Sequence, residues 1–406
     1  MDEKKKQHKT GIIILIVCIC LALVGAGGYY LYETVIKTDG DTNKSGKEKD
    51  PTGSGKFIVE EPGGKLKVAA NGEGGTYVLT AEGNLYEFVL NLDLEFDDYG
   101  GYEIAAYKPT IVKIDAENVV DLYGISGGLY GFLSADGTLN TFTYNDSKLG
   151  YEPFMQNVKM CLDDDCAFIL MADNKINKRN FYTDELTDVS NMYGEIPGFR
   201  DFNLHYFISS DGKVYRHKYK ETKDEYGNIS YSYSDYLGFE EIKGIENAKK
   251  LCDFYSEPTK LTVLTASGDL YIYKDSKFLL IGSNVAEARG GNFITKDNKI
   301  YGQTAVDQYE SILSVKNAKS LALVNLLDYD VTYVTTDKKV NLITFDGERL
   351  QLIQPSGFNN IEAVINTYNK PMYSSAIYAI DEKGDVHFWY NSEDYKDGVK
   401  KIGNIK

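Results

Sequence analysis

An all-β propeller of about eight four-stranded blades, preceded by one N-terminal transmembrane helix, is the fold class this sequence predicts. Three observations carry it. A hairpin phrase recurs eight times, each copy with a short apolar stretch before it and most with another after it. One charge-free apolar run precedes the whole array. The composition, with 33 Tyr and 38 Gly against 8 Pro and 1 Trp in 406 residues, favours short strands and turns over long helices.

The N-terminal element comes first. Residues 12–32 read IIILIVCICLALVGAGGYYLY, and at about 1.5 Å per residue this run spans roughly 30 Å, a hydrocarbon thickness. Lys4, Lys5, Lys6 and Lys9 precede it, which keeps the tail, residues 1–11, in the cytoplasm. Residues 12–32 are therefore a signal-anchor helix in the cell membrane, single-pass, with the remainder extracytoplasmic. The competing reading is a cleaved signal peptide, for which Gly25, Ala26 and Gly27 offer small residues. The apolar stretch runs on through three Tyr to Val35 and Ile36, longer than a cleaved segment needs. Residues 38–56, TDGDTNKSGKEKDPTGSGK, are too polar to bury and form a flexible linker. Residues 57–406 are the propeller. The formal net charge is −16, which excludes nucleic acid as a partner because no basic cluster is available to neutralise phosphates.

The repeat is a hairpin. Its copies include TYVLTAEGNLYEF from Thr76, AFILMADNKINKRN from Ala167, LTVLTASGDLYIY from Leu261 and GNFITKDNKIYG from Gly291. The turn landmarks are Gly83, Gly137, Asn174, Gly212, Gly268, Asn298, Lys338 and Gly384, on average 43 residues apart. Gly and Asn supply the positive φ that tight turns require. A preceding strand, such as NVKMCL or NAKKLCDF, and a following one, such as EEIKGI or KFLLIG, bring each unit to four strands, the period of a propeller blade. The count falls to seven if the irregular AFILMADNKINKRN or GNFITKDNKIYG copy is a loop. The final VKKIGNI completes the last blade, so the ring closes by face packing between the first and last blades or by a seam strand from residues 57–60 (FIVE).

The phrase (Tyr/Phe)-(Val/Ile/Phe)-Leu-(Thr/Ser)-x-(Asp/Glu/Ser)-Gly-x-(Leu/Val)-Tyr, best seen in GGTYVLTAEGNLYEF and TKLTVLTASGDLYIY, resembles the regulator of chromosome condensation repeat family. The resemblance covers about 340 residues from Leu66 onward. It implies a propeller. It does not bring the family's nucleotide exchange on a nuclear GTPase, which an anchored, acidic exterior domain cannot perform. The family usually closes its hairpin with Trp-Gly, whereas Trp389 is the single Trp here.

No catalytic constellation, cofactor motif or metal set is visible. His205, His217 and His387 fall inside repeat strands and read as strand residues. In a four-strand meander the loops after the first and third strands share one rim, and the tight turns take the other. The longest insertions are NLDLEFDDYGGYEIAAYK and KETKDEYGNISYSYSDYLG, both on the loop rim. That rim gathers Asp97, Asp98, Tyr99, Tyr102, Tyr226, Tyr231, Tyr233, Tyr236, Asp328 and Tyr368. Tyr with acids forms an amphipathic, hydrogen-bonding surface. This points to a binding or scaffold module for a surface protein or cell-wall glycan of a Gram-positive-type bacterium. The alternative is a wall-glycan hydrolase using rim or channel carboxylates. Cys161 and Cys166 flank Leu162 to Asp165 and are either a disulfide across a hairpin or two reduced buried thiols. Asp163 to Asp165 are either carboxylates that help hold Ca²⁺ or a solvated loop tip, and without a regular aspartate spacing they read as the loop tip.

Overall fold

The computed structural model describes residues 66–406 except 71–74, 97–101, 126–128, 146–147, 164, 224–228, 253–260, 290–291, 306–307, 312–314, 324–330, 346–349, 370–373 and 392–397. The anchor at 12–32, the linker at 38–56 and the FIVE segment lie outside the described residues. Among the described residues no helix is long and apolar enough to cross a membrane.

The array is a ring of eight four-stranded antiparallel sheets, each a simple up-and-down meander of consecutive strands. We number the blades in chain order: residues 67–114, 119–155, 158–188, 199–242, 248–282, 285–311, 318–353 and 361–404. Both irregular copies are blades. The third has a short outer strand, Leu186–Asp188, and continues into a 3-10 turn, Ser190–Tyr193, whose Tyr193 is fully buried.

Each blade is set by its tight turn. All eight turn landmarks sit in the left-handed region, with φ between 61° at Asn298 and 94° at Gly268. A Ser or Thr precedes the turn in six blades, with Met171 and Asp381 in its place in blades three and eight. In blade five the Asp269 N–H reaches Thr265 Oγ1 at 3.0 Å, and blade seven repeats this with Lys339 and Thr335 at 2.9 Å. This is why the Thr/Ser-x-x-(Gly/Asn) phrase recurs.

The turns also stitch neighbouring blades. The N–H opening one blade's first strand donates to the turn carbonyl of the blade before it: Val158 to Gly137 at 2.9 Å, Ala248 to Gly212 at 3.0 Å and Val285 to Gly268 at 2.8 Å. The approach is close. A Cβ on Gly212 would lie 2.8 Å from the Asn247 Cα, so the positive φ and the contact both select glycine there.

Eight apolar clusters hold the described residues together, each shared by two neighbouring blades. The aliphatic one between blades seven and eight joins Val334, Val340 and Leu342 to Ile361, Val364 and Ile377. The one between blades eight and one joins Tyr378, Phe388 and Ile405 to Val78, Tyr86 and Phe88, so the two end blades pack face to face. Ile405 makes the seam specific. Its N–H donates to the Gly384 carbonyl at 2.9 Å, the stitch that a following blade supplies elsewhere. The chain ends on Asn404-Ile405-Lys406, matching the Asn-Val-Lys that opens blade three. Gly403 permits the approach, since a Cβ there would lie 2.8 Å from Ile111 Cδ1 of blade one.

Candidate functional site: the loop rim of blades three and four

The two ends of the ring differ. One carries the tight turns. The other carries long hairpins: Leu85–Phe96 with Tyr102–Ile114 in blade one, and Val214–Lys223 with Ile229–Ile242 in blade four. Ile361–Asn369 and Ser374–Asp381 of blade eight extend there too. Of the sequence-predicted rim residues, Asp97, Asp98, Tyr99, Tyr226 and Asp328 lie outside the described residues. Tyr102 and Tyr368 lie in the blade-one and blade-eight strands just named. Tyr231, Tyr233 and Tyr236 come together on the outer strand of blade four. They are half-buried against the cluster between blades three and four.

That interface buries more aromatic rings than any other of these clusters. Its apolar part is aromatic: Phe168 and Tyr193 from blade three meet Phe199, Phe202, Phe207 and Tyr219 from blade four. The Tyr193 and Tyr236 hydroxyls are hydrogen-bonded to each other at 2.6 Å. Tyr219 donates to the Leu204 carbonyl at 2.5 Å. Burial pushes the Tyr193 and Tyr219 phenols well above their ordinary range.

Charged groups are buried in the same place. Asp163, expected at a solvated loop tip, is only 3 % exposed. Its carboxylate accepts the Phe168 N–H at 2.7 Å and the Ala167 N–H at 3.2 Å, so it folds the loop inward. The Cys161–Cys166 disulfide, with Cα atoms 5.0 Å apart, closes that loop. Burial, reinforced by Asp165, raises the Asp163 carboxyl to about 7. Lys178, directly across the ladder from Phe168, donates to the Arg179 carbonyl at 3.0 Å and lies 4.7 Å from the Phe181 ring centre. Burial lowers its ammonium to about 8. The buried Arg179 guanidinium pairs with Asp184 at 3.7 Å and sits over the Phe154 and Phe181 rings.

The histidines divide. His387 is a blade-eight strand residue with Nε2 3.3 Å from Asp381 Oδ2. His205 is not in a strand; it lies in the loop just before Tyr206–Ser209, its carbonyl accepting the His217 N–H at 2.8 Å. His217 is a buried strand residue ringed by Phe168, Phe202 and Phe207, with ring centres 4.6 to 5.2 Å away. Neither of its ring nitrogens has a hydrogen-bond partner. Burial, with His205 and Lys178 adding to it, lowers the imidazole well below its ordinary value, so it is neutral.

A cavity of about 240 Å³ opens beside these groups. The blade-four hairpin creates it. Pairing runs from Lys218 with Gly238 to Tyr219 with Tyr236 and then Lys220 with Ser232, so Tyr233 to Asp235 bulge out of the ladder. Bulges of this kind re-aim side chains at sheet rims. His205, His217, Tyr219 and Tyr231 line the cavity, as do Arg216, Lys218, Glu221 and Glu240. Arg216 Nε donates to Glu240 Oε1 at 3.1 Å. Among the described residues, no group of three or more His, Cys, Asp or Glu is placed to hold a metal ion.

Lys178 and Arg179 carried no signal as site residues, and the run Asp163 to Asp165 read as a loop tip rather than a buried group. The one available hint was the pairing of Cys161 with Cys166, which pulls the acidic run toward a short closed loop.

No family model matches the chain, and no curated protein matches it. Among solved structures it is similar to the computationally designed Ika8 protein at 12 % identity, covering 82 % of this chain and 99 % of that one, with a TM-score of 0.43. It is also similar to the C-terminal WD40 domain of Sif2 at 14 % identity, covering 82 % and 84 %, with a TM-score of 0.32. The assignment as a propeller rests on the eight sheets themselves.

Proposed function

We propose that this chain is a membrane-anchored, extracytoplasmic scaffold of a Gram-positive-type bacterium. In this reading it binds a surface protein or cell-wall glycan through the loop rim of blades three and four. One observation carries the binding role: buried charges, unpartnered imidazole nitrogens and half-buried tyrosines gather at one interface beside a cavity. Groups of this kind cost stability and collect at functional sites. The apolar run at 12–32, its lysine flank and the polar linker support the anchor. The resemblance to regulator of chromosome condensation repeats supports common ancestry of the repeat and no shared activity.

The test uses the full chain in membranes and isolated cell envelopes. It should sediment with membranes and stay there through an alkaline wash. Leu237, 61 % exposed on the bulged strand of blade four, offers an apolar contact on the rim. Leu237→Asp is expected to weaken envelope binding by about tenfold, roughly 1.4 kcal/mol, with the fold intact by circular dichroism. Envelope binding that Leu237→Asp leaves untouched would remove the rim from the function.

A further inference from the structure

We infer that the blade-four cavity is a subsite for one neutral sugar residue of a glycan, a reading that rests on the rim being the binding face. Size is the first argument. At about 240 Å³ the cavity is below the range of sites for drug-sized ligands and suits a single ring. Charge is the second. Arg216 and Lys218 are matched by Glu221 and Glu240 in its lining, so it selects for neither an anion nor a cation. A neutral ligand rich in hydroxyls uses such a mixture of donors and acceptors.

The third argument is the imidazole. His217 is buried, lines the cavity, and has two ring nitrogens without partners. Both nitrogens have under 1 Å² of accessible surface, so a hydroxyl meets one only where the imidazole turns toward the cavity; turned so, a neutral imidazole offers one donor and one acceptor. A purely apolar occupant would leave both unmet, which costs free energy in a buried site. The fourth argument is the aromatic wall. The Tyr219 hydroxyl is already committed to the Leu204 carbonyl, so Tyr219 contributes ring surface, and the half-buried Tyr231 adds a second ring. Aromatic rings receive the C–H faces of a sugar while neighbouring polar groups take its hydroxyls. A peptide segment would need a longer groove and a larger buried area than this cavity provides.

The experiment titrates the full chain, held in detergent micelles, with N-acetylglucosamine tetramer and with maltotetraose, read by saturation-transfer NMR. A single-ring anchor of about a dozen heavy atoms gives an expected Kd on the order of 1 mM for at least one of them. Tyr231→Ala and His217→Gln should each weaken that binding about tenfold or more. Tyr271→Ala, on blade five, should leave it unchanged, and circular dichroism should match the parent in all three. No saturable signal from either sugar at about 10 mM overturns the inference, as does binding that survives Tyr231→Ala in a folded protein. The two readings fail separately. If Leu237→Asp abolishes envelope binding while neither sugar binds, the rim remains the binding face and its ligand is a protein. If Leu237→Asp changes nothing, the rim reading falls and takes the sugar subsite with it.

Discussion

The interface between blades seven and eight and the interface between blades three and four come from the same repeat and hold opposite chemistry. The first is nearly all aliphatic, with Val340, Leu342, Ile361 and Ile377 each at most 1 % exposed. The second buries Asp163, Lys178, Arg179 and His217 among aromatic rings. Aliphatic packing gains free energy with every area it removes from water. Buried charges return part of that gain as lost hydration, even when paired. A ring needs all its interfaces closed, so it can tolerate one costly joint if the others are dry and well filled. The contrast marks blades seven and eight as structural and blades three and four as the place where stability is given up for something else.

The largest expected effect breaks the structural side. Ile377 is fully buried between blades seven and eight. Ile377→Ala should cost about 3–4 kcal/mol, read as a lower urea midpoint with an unchanged slope. A loss below about 1 kcal/mol would mean this joint is no better packed than its counterpart.

A smaller effect concerns the loop that carries Asp163. The Cys161–Cys166 bridge closes a short loop beside the rim. Replacing both cysteines with Ser should lower stability by about 2 kcal/mol through the loop-closure entropy of the unfolded chain. It should also speed amide exchange at Ala167 and Phe168, whose N–H groups Asp163 holds. Unchanged exchange there would show that Asp163 stays buried without the bridge.

The smallest effect sharpens the comparison by pH. Burial lowers the His217 imidazole in the folded state, so the unfolded chain takes up this proton first, near pH 6.5. His217 therefore contributes a loss of about 1.4 kcal/mol per pH unit as pH drops below about 6.5, until the folded-state value is reached, and Asp163, whose carboxyl is raised in the fold, contributes with the opposite sign over the same window. His217→Phe keeps an aromatic ring in place and should remove that part of the slope. Identical acid unfolding of parent and variant would contradict a neutral buried imidazole.

The blades were legible because their signals are local. A positive-φ residue at Gly137 or Lys338, a Ser or Thr ahead of it, and alternating apolar residues on either side act within about a dozen residues. The irregular copies kept the positive-φ residue at Asn174 and Asn298, though Met171 stands where Thr295 stands in the other, so all eight landmarks marked real turns. The sharing of one rim by the loops after first and third strands followed from antiparallel connectivity alone. The seam was legible only in part: the tail completed blade eight, and the role of Ile405 as the stitch against Gly384 emerged with the ring.

What the sequence by itself determined is therefore the repeat, a count of seven or eight blades and the two-faced layout of the ring, because backbone conformation and alternation are properties of neighbouring residues; the structure settled the count at eight. The tertiary structure decided the chemistry of the rim. Asp163, Lys178, Tyr193 and His217 come from different strands and loops of two blades, and each looks ordinary in its own segment. Whether an aspartate ends in water or under a phenylalanine depends on what the next blade places against it, and that long-range packing also fixes its charge state.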